Sequence, residues 1–128
     1  MHITYVVVSV ITLTANAWAA AADFTRAKFV LANSAELNLP KSWVTPLGVL
    51  KAAGVAGLLL GLVGVQLVGI AAAIGLVLFF MGAVGVHIRA RVFHNIAIPA
   101  GYLALAVATL VLSLADGIED SVILQMVR

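Results

Sequence analysis

Four ionisable side chains, Asp23, Lys51, His87 and Arg89, stand inside or at the ends of otherwise apolar stretches. Such groups are functional candidates, because burying a charge is costly unless it is paired. Gathered in one water-poor pocket, they would support acid–base chemistry. His87 would act as general acid or base, with Asp23 orienting it and Lys51 or Arg89 stabilising a developing oxyanion. Asp23, Lys51 and His87 are therefore the catalytic candidates. Asn16, seven residues before Asp23 and close to the same helix face, joins Arg26, Arg89 and Tyr102 as a ligand-binding candidate.

A plainer reading stands beside this one. Arg26 is three residues past Asp23, at pairing distance on a helix, and Lys51 and Arg89 have stems long enough to snorkel to the headgroups. His87 at a helix end is equally suited to contact a lipid phosphate. Tyr102, Thr109 and Asp116 recur every seven residues, with Ser113 near the same stripe, so that face is expected to look inward. Tyr102 is placed to reach a pocket shared with Asp23, Lys51 and His87; Asp116, at the other end, is not.

The elements that carry these residues are legible from the apolar runs. Residues 52–88 hold no Asp, Glu, Lys or Arg, and Gln66 is the one strongly polar member before His87. A single straight helix over them would measure ~55 Å, against a hydrocarbon core of ~30 Å. Two spans with a tight reversal fit instead, and Gly61, Gly64 and Gly69 around Gln66 mark the reversal. Residues 3–22 are uncharged and long enough to span, which predicts a first helix over 3–29. Ala15-Asn16-Ala17 resembles a small-x-small cleavage site, but the preceding residues lack Lys and Arg, so the segment is expected to be retained. The polar stretch 33–41 reads as a loop, partly helical at the interface, and Trp43 as a headgroup anchor. Further spans are expected over 44–63, with Pro46 tolerable in its first turn, over 67–87, and over 96–114. Asp116, Glu119 and Asp120 would close the membrane region. The expected fold is all-α: a single four-helix integral membrane bundle over residues 1–128.

Composition agrees. The 128 residues are 64% hydrophobic and 9% charged, where a soluble domain keeps about a quarter of its residues charged. The apolar excess must face lipid. A net charge of +2, carried beside membrane segments, gives no basic face for nucleic acid. Cysteine is absent, which excludes thiolate chemistry, and the histidines and carboxylates lack metal-ligand spacing. Glycines 54, 57, 61 and 64 form a seam at helical spacing, and Gly69, Ala73, Gly82 and Gly85 offer similar close contacts; their role is packing. Four short helices are expected to offer no continuous polar lining, which argues against an ion channel. Arg26, Lys28, Lys41, Arg89 and Arg91 fall in the first and third loops. The positive-inside rule then puts those loops in the cytoplasm and both termini outside, in a multi-pass membrane protein.

The segment Asn38-Leu39-Pro40-Lys41-Ser42-Trp43, then Leu47-Gly48-Val49-Leu50-Lys51-Ala52-Ala53-Gly54, resembles the DoxX-like group of small bacterial membrane proteins. So does the run from Gly69 through Phe79-Phe80 to Gly85-Val86-His87-Ile88-Arg89-Ala90-Arg91. The resemblance covers nearly the whole chain and implies a four-helix membrane bundle. Relatives include a small membrane subunit associated with thiosulfate:quinone oxidoreduction. In many such sequences an acidic residue stands at Lys51 and an Asp at Val92, so roles resting on those carboxylates do not carry over. The resulting expectation is a protein with no bound cofactor of its own that holds a lipophilic small molecule, of quinone or isoprenoid type, as an accessory of a membrane redox system. Its partners would be the bilayer, a membrane or soluble oxidoreductase, and further copies of itself. The alternatives are a cofactor-independent enzyme acting on a lipophile by isomerisation, epoxide opening or cyclisation, and an assembly factor for another membrane protein.

Overall fold

The computed structural model describes residues 2–128, all of the expected domain except Met1, which lies outside the described residues. Helices account for nearly all of it: α1 (His2–Phe24), α2 (Lys28–Glu36), α3 (Val44–Leu62), α4 (Gln66–Arg89) and α5 (Ala97–Met126), with a 3-10 turn at Lys41–Trp43 before α3. Among the described residues, four helices are long and apolar enough to cross a membrane: α1, α3 with its preceding turn, α4 and α5. They form a closed ring in which α1 packs on α3, α3 on α4, α4 on α5 and α5 on α1. The reversal between α3 and α4 and the N-terminus of α1 lie at one end, the turn end. The α1–α2, α2–α3 and α4–α5 connections lie at the other, the loop end.

Glycine sets the α3–α4 distance. A Cβ on Gly61 would stand 2.7 Å from the Gly69 Cα, and one on Gly57 would stand 2.5 Å from the Ala72 Cβ. Without a hydrophobic force between helices in lipid, this backbone proximity is where their van der Waals contact comes from. Gly64 is not part of that seam. It sits in the reversal at φ 112°, with Val65 N–H donating to the Leu60 carbonyl at 2.9 Å to close the helix end. Gly82 and Gly85 face open space, so of the expected α4 contacts only Gly69 and the buried Ala73 form.

Two expected boundaries are corrected. The first helix stops at Phe24 rather than 29, because Arg26 takes a left-handed conformation (φ 51°). Ala27 N–H donates to the Ala22 carbonyl at 3.1 Å and Arg26 N–H to that of Asp23 at 3.0 Å, a closure normally made with glycine. Arg91 (φ 57°) ends α4 in the same way and Asn38 (φ 59°) ends α2. The last helix runs on to Met126 rather than stopping at 114. Its 30 residues span ~45 Å; residues 118–128 are all exposed, and Asp120 still accepts from Gln66 Nε2 of α4 at 3.2 Å.

The apolar core, Leu58, Ala73, Leu76, Phe80 and Ala106, belongs to α3, α4 and α5. The first helix contributes something different. Its buried residues are Tyr5, Ser9, Thr12, Asn16, Ala20 and Asp23, so every one but Ala20 is polar, while Val7, Val10 and Ile11 face outward. Within this polar face, buried Ala20 separates Asn16 from Asp23.

Candidate functional site

Asp23 is the last inward-facing residue of α1, one turn before the Arg26 break, and is 5% exposed. Its carboxylate is met from α3 by Lys51, whose Nζ donates to Oδ2 at 2.7 Å. Both side chains are largely buried, so neither is snorkelling; each supplies the counter-charge that makes the other's burial tolerable. The ammonium also lies 5.4 Å from the centre of the Phe79 ring, on the face where a cation is attracted by the ring quadrupole. One of its three N–H groups is used by Asp23, and the others remain available to a ligand oxygen.

His87, in the last turn of α4, is 4% exposed. Its Nδ1 lies 2.8 Å from the Ala83 carbonyl, which can only accept, so Nδ1 carries a hydrogen. In the neutral ring Nε2 is then an acceptor, and it is buried without a hydrogen-bond partner among the described residues. Buried polar atoms are rarely left so, and an ordered water or a bound group commonly supplies the missing partner.

Asp23, Lys51, His87 and Tyr102 line one cavity of about 670 Å³ at the loop end of the bundle, within the range that holds a drug-sized ligand. The rest of the lining is mainly apolar and aromatic, with Trp18, Phe29, Trp43, Phe79 and Phe80 among it. Trp18 and Phe29 stack at 5.7 Å, and Phe80 and Tyr102 meet at 5.1 Å. Helix α2 forms one wall. It is tied to the α4–α5 connection by Asn95 Nδ2 donating to Asn33 Oδ1 at 2.8 Å and by His94 Nε2 and Glu36 Oε2 at 2.6 Å. Among the described residues no three His, Asp or Glu side chains are grouped as metal ligands.

A model of the DoxX-like family matches residues 7–109, from the first turns of α1 to the middle of α5. The chain belongs to the DoxX-like family. No curated protein and no solved structure matches it. The DoxX-like match contains every lining residue of the cavity.

The other expected site residues fall elsewhere. Arg26 and Arg89 are exposed and do not line the cavity. The expected Asp23–Arg26 pair is replaced by Asp23–Lys51, because the left-handed turn at Arg26 carries its side chain off the α1 face that holds Asp23. Asn16 is fully buried but does not line the cavity; its Nδ2 donates to the Thr12 carbonyl one turn back on α1 at 2.9 Å. Tyr102 lines the cavity while its hydroxyl donates to the Ala15 carbonyl at 3.0 Å. Sequence reasoning missed the aromatic lining, since an aromatic residue in a span reads equally well as lipid-facing. It also missed Asn33, Glu36, His94 and Asn95 as wall residues, although both polar clusters are plain in the chain.

Proposed function

We propose that this DoxX-like protein binds a lipophilic small molecule with a polar head, of quinone or isoprenoid type, as an accessory of a membrane redox system. One observation carries the reading: the bare Nε2 of His87 shares a mainly apolar cavity with the charged Lys51–Asp23 pair. A carbonyl or phenolic oxygen would accept from Lys51, a hydroxyl would donate to His87, and the tail would lie among Trp18, Phe29 and Phe80. The only two tryptophans, Trp18 and Trp43, both line the cavity, so a short-chain benzoquinone should quench their fluorescence saturably. Quenching that stays linear with quinone, or that is unchanged by Lys51→Met with His87→Ala, would refute the reading.

The same groups favour a second reading, acid–base catalysis on a lipophile without a cofactor. His87 Nε2 would take a proton, and the Lys51 ammonium would steady the oxyanion that forms. Turnover of a bound isoprenoid substrate, lost in His87→Ala while binding persists, would separate catalysis from binding.

The basic residues Arg26, Lys28, Lys41, Arg89 and Arg91 all lie at the loop end. This supports a bacterial inner-membrane location with that end, and hence the cavity mouth, in the cytoplasm and the termini outside. A soluble oxidoreductase would then meet the cavity at the cytoplasmic surface, and self-association within the bilayer is compatible with the uncovered glycines of α4. The chain has no cysteine, so single cysteines at Lys41 and Arg128 labelled with an impermeant maleimide in whole cells would report the sidedness.

A further inference from the structure

The four largest fully buried side chains among the described residues are Asn16, Thr12, Thr109 and Ser9, none of them apolar. They belong to a seam between α1 and α5 that runs from the His2–Asp116 pair at the turn end to the Ala15–Tyr102 contact beside the cavity. At the turn end, Asp116, 4% exposed, meets His2 Nδ1 at 3.0 Å, and His2 is open to solvent. Ser113 follows one turn along α5, with Tyr5 and Ser9 buried on α1. Thr12 and Thr109 then join hydroxyl to hydroxyl at 2.7 Å. Asn16 comes next, and beside it Tyr102 bonds the Ala15 carbonyl and lines the cavity that holds Asp23, Lys51 and His87. From Tyr5 to Asn16 the polar run on α1 rises ~17 Å, and past Asn16 it reaches the cavity by way of Tyr102, because buried Ala20 stands between Asn16 and Asp23.

Hydroxyls in membrane helices commonly bond their own backbone, as Ser113 does to Thr109. That habit does not account for the whole seam. Asn16 Oδ1 is buried with no hydrogen-bond partner among the described residues, and on the other side of the Thr12–Thr109 contact Ser9 Oγ has only the nearby Tyr5 hydroxyl, too poorly placed to form a regular hydrogen bond. Both atoms can accept a hydrogen bond from water. The Thr12–Thr109 bond also has two equivalent forms. Thr12 can donate to Thr109 while Thr109 donates to the Leu105 carbonyl at 2.8 Å, or Thr109 can donate to Thr12 while Thr12 donates to the Val8 carbonyl at 2.9 Å.

We propose that the α1–α5 seam is a proton path connecting the turn-end surface with the cavity at the loop end. A proton enters at the Asp116–His2 pair. At the paired threonines each hydroxyl receives a proton on a free lone pair as it passes its own onward. Water held by Ser9 Oγ and Asn16 Oδ1 carries it across the flanking steps. The proton is delivered to the Asp23 carboxylate or to His87 Nε2 in the cavity. Nothing is oxidised or reduced, and rotation of the hydroxyls restores the starting pattern. His2, Tyr5, Asp23, Lys51, His87, Tyr102 and Asp116 are the ionisable groups on or beside this route. The path is argued from the seam itself and holds whatever the cavity binds.

The test is proton flux into proteoliposomes loaded with a pH-sensitive dye, driven by a potassium diffusion potential set with valinomycin. Wild type is expected to acidify the lumen several-fold faster than protein-free liposomes. Thr12→Val and Asn16→Leu should fall to the protein-free rate, and Val7→Leu, on the lipid face, should match wild type. Should the apolar variants fail to fold, Ser9→Cys, a near-isosteric change in a chain without cysteine, decides the matter with wild type: its thiol must react with aqueous silver ion. Wild-type flux at the protein-free rate, full flux in a folded Thr12→Val or Asn16→Leu, or a Ser9→Cys thiol inert to silver each overturns the path.

Discussion

The Lys51 ammonium of α3 and the Asp23 carboxylate of α1 meet at 2.7 Å near the loop end of the bundle, both largely buried. The pair clamps α1 to α3 and at the same time places a charge in the wall of an apolar cavity. Removing one partner leaves the other buried and uncompensated, which typically costs ~3–5 kcal/mol, whereas removing both is often close to neutral. Lys51→Met alone should therefore lower the thermal midpoint in detergent markedly, and Asp23→Leu with Lys51→Met should recover most of the loss. A double-mutant cycle measures the coupling; additive single effects would show that the pair does not act as a unit.

Gly61→Ala places a methyl 2.7 Å from the Gly69 Cα, which is backbone and cannot rotate away. Helices α3 and α4 must separate, and overpacking of this kind costs ~1–3 kcal/mol. Gly75→Ala, on the same helix pair but facing open space, should be neutral or slightly stabilising. Thermal unfolding of the two variants side by side checks the contrast.

The left-handed residues give a prediction of opposite sign. Arg26 and Arg91 hold positive φ at the ends of α1 and α4, where a side chain costs ~1–2 kcal/mol relative to glycine. Both are exposed, so Arg26→Gly and Arg91→Gly should each raise the thermal midpoint. A fall would mean that the arginine side chains make stabilising contacts at the headgroups that outweigh the backbone strain.

These arginines also mark where the chain's pattern stops being readable. The four spans were legible because uncharged runs of hydrocarbon length have few alternatives, and Gly64 announced its reversal. The end of α1 was not, because a left-handed turn at arginine carries no local signal. For α5 the acidic cluster marks where hydrocarbon ends, while the helix itself, with no breaker to stop it, continues into water. In the cavity, Asp23, Lys51 and His87 stood out as ionisable residues in apolar runs. The identity of the Asp23 partner did not, because it is set by the approach of α3 and not by spacing along α1. The polar face of α1 was half visible: Asn16 and Asp23 were noted, while Tyr5, Ser9 and Thr12 continue the same helical spacing toward the N-terminus.

Helix α2 is held over the cavity by few contacts, chiefly Asn33–Asn95 and Glu36–His94. Asn95→Ala together with His94→Ala should therefore loosen that wall without disturbing the spans. The expected result is faster release of a bound quinone in a stopped-flow chase, with the thermal midpoint little changed. An unchanged release rate would mean that ligand leaves between the spans and not past α2.

The most direct measurement is the ligand content of the protein purified in mild detergent, identified by mass spectrometry. The comparison sample carries Asp23→Asn, Lys51→Met and His87→Ala together, and native-like helicity in that sample is confirmed by circular dichroism. The account predicts a defined lipophile with an oxygen-bearing head, near one per chain, in wild type, and its loss in the triple variant. Bulk lipid alone in both samples, or the same lipophile retained by the variant, would contradict it.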